Sequence, residues 1–246
     1  MQKTRWAIIV LILSLESACS QQNAGKNAGQ AITQHIGGRC ETCDAIYTTP
    51  IPFEKMNWVD TLPDYHELGP RMVISGKIYQ ADGKTPAVGV ILYIYHTDQT
   101  GHYTPNAYQT GSARRHGYIR GWMKTNGQGE YKFYTLKPAA YPGHQIPAHI
   151  HPIIKEPKMN EYYIDEFLFN DDPFLTNEER NKQEGRGGSG IISLENQGGI
   201  LVGHRDIYLG RKIPNYPTEK EAKLQSGKNT RDNYFIFESF NLMQVD

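Results

Sequence analysis

The sequence predicts an all-β protein: an antiparallel β-sandwich with an irregular N-terminal arm and long loops. Three observations predict it. Short segments rich in Val, Ile, Tyr and Thr alternate apolar with polar residues, the period of a half-buried strand. Turn signals such as Asp82–Gly83 and Asn126–Gly127 separate them. The 24 glycines and 14 prolines among 246 residues supply the many chain reversals a sandwich needs.

Taken in order, the first strand covers Met72–Tyr79 and ends in the turn Ala81–Lys84. Val88–His96 forms the second, and Tyr118–Thr125 the third. Glu130–Leu136 alternates cleanly, and His149–Ile154 and Tyr162–Phe169 follow. Ile200–Val202 and Ile207–Leu209 add short strands, and Asn233–Phe240 closes the sheet. Only Thr218–Leu224 reads as helical. The domain organisation is a single sandwich over 71–246, preceded by an arm over 38–70 that holds Cys40, Cys43 and scattered prolines and aromatics.

The first 19 residues differ in kind. Lys3 and Arg5 precede an apolar run from Ala7 to Leu15, and Ser17 and Ala18 precede Cys19. Crossing a bilayer takes about 20 apolar residues, so the run reads as an export signal. Small residues before Cys19 point to a bacterial lipoprotein, with Cys19 carrying the lipid and membrane attachment by that anchor alone. Glu16 fits that cleavage pattern poorly, so a simply cleaved secretory signal stays open, as does an apolar N-terminal helix of a cytosolic protein. Residues 20–37, rich in Gln, Asn, Gly and Ala, read as a flexible tether. Export makes a local disulfide the reading for Cys40 and Cys43. A redox motif would need a βαβ context, and a zinc site two more ligands.

Lysine and arginine balance aspartate and glutamate at 26 each. No global field points to nucleic acid. The sequence leaves oligomerisation with identical chains open.

Chemistry concentrates in Tyr131–Pro152. His149 and His151 lie two apart in a strand, so both imidazoles project from one face. A His-x-His pair alone is a weak metal signal. Tyr141 sits in a turn, Lys137–Gly143, that leads back towards the histidines.

These residues resemble the intradiol ring-cleavage dioxygenases, the family of catechol 1,2-dioxygenase and protocatechuate 3,4-dioxygenase. A strand like Tyr131–Leu136 there leads into a Lys-Pro-x-x-Tyr-Pro turn, here Lys137–Pro142, and then a Pro-Ala-His-Ile-His segment, here Pro147–His151. Upstream, Asp98–Gln99–Thr100–Gly101–His102–Tyr103 is similar to the loop that delivers the family's first tyrosine ligand. Downstream, Phe167–Pro173 is similar to its strand ending in Asp-Asp-Pro. The resemblance runs over about residues 70–210. It implies that Tyr103, Tyr141, His149 and His151 bind Fe(III), with catalytic roles for Tyr103 and Tyr141. It also implies a catechol cleaved with O2 to a muconate-type diacid. Hard phenolate oxygens suit a ferric ion, and a highly charged cation can deprotonate a bound phenol.

The chain departs from the family at three places, one of them the loop from Tyr141 to His149, which is shorter than in the well-known members. Where well-known members carry an arginine three residues before the first histidine, this chain has Ile146. Arg114, Arg115 and Arg120 are the candidates to replace it. The family's glutamine after the histidines corresponds to Glu166 or Asp165 here. The expected surroundings of the metal are therefore Glu166, Ile146 and Arg120. These departures keep two rivals open: a metal- or catecholate-binding sandwich without turnover, and a carbohydrate- or protein-binding sandwich in which the histidines are incidental. His96, His102, His116, His144 and His204 read as surface or loop residues, His144 with a substrate contact in reach.

Overall fold

A computed structural model of the chain describes residues 35–218 and 221. The expected signal, Cys19, nearly all of the tether and the closing strand Asn233–Phe240 lie outside those residues. So does the expected helix Thr218–Leu224, apart from Thr218 and Glu221. Among the described residues no helix is long and apolar enough to cross a membrane.

Among the described residues, twelve strands form two six-stranded sheets. The first contains β1 (Val59–Thr61), β2 (Arg71–Tyr79), β5 (Glu130–Leu136), β10 (Leu194–Gln197), β11 (Ile200–His204) and β12 (Ile207–Tyr208). Its order is β1-β5-β2-β11-β10, with β12 also paired to β2. The second contains β3 (Ile91–His96), β4 (Arg120–Lys124), β6 (His149–Lys155), β7 (Glu161–Tyr163), β8 (Phe167–Phe169) and β9 (Ile191–Ile192). Its order is β4-β3-β6-β8-β9, with β7 paired to β6. The fold class is the all-β sandwich the alternation predicts, but the sheets are mixed. The pairs β1–β5, β2–β11, β2–β12 and β8–β9 run parallel. Strand period reports which face a residue takes, not the direction of its neighbour.

Between the sheets lie Met72, Ile74 and Ile78 of β2, Tyr131 and Phe133 of β5, Leu92 and Ile94 of β3, Ile150 and Ile154 of β6, and Phe167 and Phe169 of β8. Each such side chain contributes about 1.5–3 kcal/mol on burial. A second cluster joins Ile91, Tyr93 and Ile153, on the other face of β3 and β6, to Cys43, Ala45, Ile46 and Met56 of the arm. Strand β3 is thus covered on both faces, which is why its sequence, Ile-Leu-Tyr-Ile-Tyr-His, is almost uniformly apolar.

The arm is more ordered than its sequence suggests. Cys40 and Cys43 are joined by a disulfide with Cα atoms 5.6 Å apart. A 3-10 turn over Cys43–Tyr47 follows, and the arm ends by adding β1 to the first sheet beside β5. Other boundaries shift as well. Val88–Val90 is a turn ahead of β3, and the stretch expected as one strand over Tyr162–Phe169 divides into β7 and β8. Two five-residue helices, α1 (Gly111–Arg115) and α2 (Asn177–Asn181), stand where the sequence reads as loop. Each is too short for apolar periodicity to mark it.

Candidate metal centre

The site lies on the outer face of the second sheet, on the side the arm covers. Alternation along β6 sends Ile150 into the core and turns His149 and His151 outward. His151 stands directly across from Tyr95 on β3. Tyr103 arrives on the loop between β3 and α1, and Tyr141 on the loop between β5 and β6.

The four donor atoms close a ring. Tyr103 Oη lies 2.7 Å from Tyr141 Oη, which lies 3.1 Å from His149 Nε2. His149 Nε2 lies 3.1 Å from His151 Nε2, and that atom 2.9 Å from Tyr103 Oη. His149 Nδ1 donates to the Pro147 carbonyl at 2.7 Å. This fixes the tautomer and leaves a lone pair on Nε2. His151 Nδ1 faces the Glu166 carboxylate at 3.6 Å, which favours the same tautomer. Two phenol protons then serve four contacts. Each phenol can donate to one imidazole, and the oxygen–oxygen and nitrogen–nitrogen edges are left lone pair to lone pair. A cation at the centre satisfies all four donors at once. Among the described residues no three His, Cys, Asp or Glu side chains converge as metal ligands, so a metal here requires the tyrosines.

The electrostatics sort the donors. Burial, reinforced by the Tyr141 hydrogen bond, pushes the Tyr103 phenol far above its usual range. Burial also raises Tyr141. Neither phenol ionises unaided near neutrality, so a ligand role needs a strongly charged cation. His149 is held down to about 4, mainly by burial and then by its neighbour His151, so its imidazole is neutral and its lone pair available. For Glu166 burial opposes ionisation, but the approach of His151 outweighs it and holds the carboxyl at about 2.

The tyrosine loops are tied to each other. Asp98 Oδ1 accepts from Thr100 N at 2.8 Å, Thr100 Oγ1 at 2.6 Å and His102 N at 3.2 Å, and Oδ2 accepts from Thr104 Oγ1 at 2.6 Å. Thr97 Oγ1 donates to the Ala139 carbonyl at 2.7 Å, and Gln99 Nε2 to the Lys137 carbonyl at 2.8 Å. Gly101 has φ +80°, and a Cβ there would lie 2.2 Å from the Ala140 carbonyl oxygen. The close approach of the two loops thus depends on that glycine.

Behind His151 stands an aromatic stack. Tyr95 lies 4.6 Å from the His151 ring at 19°, and His116 lies 3.6 Å from Tyr95 at 3°. His116 Nδ1 pairs with Tyr93 Oη at 2.9 Å. His116 and His96 are buried, at 2% and 1% exposure, which corrects their reading as surface residues. His96 bridges the Thr97 carbonyl and Thr135 Oγ1, each at 2.8 Å. Cross-sheet packing buried them, and no local window carries that signal. His102, His144 and His204 are exposed.

The remaining sequence candidates separate. Glu166, rather than Asp165, faces the donor ring; Asp165 accepts from Gly185 N and Arg186 N. Ile146 is 41% exposed in the Tyr141 loop and offers no polar group. Arg120 donates to Thr48 Oγ1 at 2.8 Å and lies over Trp122, beside a cavity of about 450 Å³. Arg114 and Arg115 are exposed at the end of α1. Sequence reading gave Asp98 and Gly101 no role beyond the loop they share with Tyr103, took His116 for a surface or loop residue, and did not single out Tyr95. The Asp-x-Thr spacing at 98–100, followed by Gly101, was the available signal for the first two.

A family model described as Dioxygenase matches residues 47–183. Catechol 1,2-dioxygenase 1 of Acinetobacter lwoffii is 34% identical over 83 residues, which is 34% of this chain and 25% of that protein. The chain therefore matches about a quarter of that relative's length. Among solved structures, catechol 1,2-dioxygenase from Acinetobacter sp. ADP1 aligns at 19% identity and TM-score 0.47, over 65% of this chain and 60% of that one. An intradiol ring-cleavage dioxygenase from Tetranychus urticae aligns at 22% identity and TM-score 0.45, over 62% and 87%. The match to the family model spans more than half of the 246 residues, and the chain belongs to the intradiol ring-cleavage dioxygenase family.

Proposed function

We propose that this chain is a non-haem Fe(III) dioxygenase that cleaves a catechol between its two hydroxyl-bearing carbons. One observation carries the reading: the closed ring of Tyr103, Tyr141, His149 and His151 donors, with edges of 2.7–3.1 Å and too few protons to satisfy itself. Two phenolates and two neutral imidazoles fit a hard trivalent ion. Fe(III) held there would supply the Lewis acidity that binds both catechol oxygens and makes the ring reactive towards O2.

The chain's own residues do the rest. His149 is held by Pro147 and His151 by Glu166 and Tyr95, so the strand ligands stay fixed. Tyr141 sits on a loop, and its phenolate oxygen is the base that takes a catechol proton as the substrate enters. The carbon–carbon bond between the two oxygenated carbons breaks, both atoms of O2 enter the product, and a muconate-type diacid forms with no external reductant.

Reconstitution of the chain with iron tests this. The expected result is one iron per chain and a red-brown colour from tyrosinate-to-iron charge transfer that shifts on adding catechol. A colourless protein that stays iron-free sinks the proposal. Ile146 favours one alternative, a catecholate-binding protein without turnover; oxygen uptake in the presence of catechol separates the two. We further propose export, with Cys19 as the lipid-bearing residue, on the basis of the basic start and apolar run before it.

A further inference from the structure

The loop that carries Tyr103 closes on itself. Tyr118 N donates to the Thr104 carbonyl at 2.9 Å. Gln109 Nε2 donates to the Gly117 carbonyl, and Gln109 Oε1 accepts from Asn106 N at 2.8 Å. Gly117 has φ +69°, and a Cβ there would lie 2.9 Å from the Tyr103 carbonyl carbon. Between helix α1 and that glycine stands His116, whose backbone N–H ends the helix on the Ala113 carbonyl.

The His116 ring is 2% exposed. Burial first, then His151, Arg120 and Arg115, hold it down to about 3, so the imidazole is neutral. Nδ1 pairs with Tyr93 Oη at 2.9 Å, and in either tautomer Nε2 has no partner among the described residues. An unpaired buried nitrogen counts against the fold, so packing alone does not account for a histidine here. What the imidazole supplies is a flat ring pinned at one edge. Its centre lies 3.6 Å from that of Tyr95 at 3°. The Tyr95 ring lies 4.6 Å from His151 at 19° and 5.8 Å from Tyr103 at 54°. Tyr95 thus links His116 to two of the four candidate ligands.

We infer that His116 is a positioning residue for the candidate centre: its ring holds Tyr95 flat, and Tyr95 in turn sets the plane of His151 and the approach of Tyr103. The inference rests on the metal-centre reading and deepens it. It makes the stacked face of His116, rather than its hydrogen bond, the part that matters to the metal.

Two variants of the full chain separate ring from hydrogen bond. His116→Gln can still pair with Tyr93 Oη but has no ring; His116→Phe keeps the ring and loses the pair. Iron release into excess EDTA is followed by decay of the visible band, and unfolding midpoints are recorded on the iron-free proteins. His116→Gln is expected to release iron about 10–100-fold faster, the usual effect of disturbing a group that orients a metal ligand, with its charge-transfer band displaced. His116→Phe is expected to match the unaltered chain in both. In the iron-free proteins the His151 imidazole protons, shielded by the Tyr95 ring, should shift in the NMR spectrum of His116→Gln and hold in that of His116→Phe. Release rates that simply follow the unfolding midpoint overturn the inference, as does a His116→Gln protein with an unmoved band and an unchanged rate. Should either variant fail to fold, His116→Leu removes the ring and His116→Tyr keeps it. An unaltered chain that takes no iron counts against the ferric reading itself, and the NMR comparison then decides the role of His116.

Discussion

The histidines and the tyrosines of the candidate centre reach one point by opposite routes. His149 and His151 ride on β6, a central strand paired to β3 on one side and to β7 and β8 on the other. Their position follows from the sheet, and Ile150 between them is fully buried in the core. Tyr103 and Tyr141 come from loops, and what fixes them is a local set of hydrogen bonds around Asp98 together with the close approach at Gly101. The histidine half of the site thus shares the stability of the whole domain. The tyrosine half carries its own, smaller stability.

Substitutions on the two routes should separate these stabilities. Ile150→Ala, which hollows the core behind the histidines, is expected to cost about 2–5 kcal/mol of global stability, read from chemical denaturation; a loss below 1 kcal/mol would mean that β6 is not anchored by the core. Gly101→Val drives a side chain into the Ala140 carbonyl and is expected to cost about 1–3 kcal/mol, with loss of iron in a protein whose circular dichroism stays that of a β-sheet. Asp98→Ala should weaken iron binding about 10–100-fold, the usual effect of removing a group that orients a metal ligand, with little change in the unfolding midpoint. A midpoint that falls as far as in Ile150→Ala would show that the loops and the sheet are one cooperative unit.

The smallest effect is one of pH. Burial opposes ionisation of Asp98, but hydrogen bonds from Thr100, Thr104 and His102 outweigh it and hold the carboxyl at about 2, below the ordinary value of about 3.9. A depressed carboxylate stabilises the fold fully above its unfolded value, and that contribution is lost as pH falls through the folded one. Stability should therefore decline between about pH 4 and pH 2, and Asp98→Asn should decline less steeply over that window. The group is only half-buried and solvent screens it, so the slope change is slight.

The same contrast governs what the sequence discloses. Alternation within Glu130–Leu136 and His149–Ile154 is local, and it places side chains on the correct faces. The candidate tyrosines have no period; they stood out only because Lys137–Pro142 and Asp98–Tyr103 resemble known loops. Parallel pairing, such as β8 with β9, depends on residues distant in the chain. The burial of His96 and His116 likewise depends on the sheets packing and on the arm covering β3. The strand β1 was hidden because three residues, Val59–Thr61, are too few to show a pattern.

Strand β3 carries a consequence for how the molecule opens. It has a neighbour on each edge and a cluster on each face, so its amides should be among the slowest to exchange with deuterated water, opening only when the whole domain does. Strand β6 beside it should share that protection. The loops that carry Tyr103 and Tyr141 should exchange sooner, through local openings that leave the sheet intact. Escape of a bound ion would then begin at its oxygen donors, with both imidazoles still in place to recapture it.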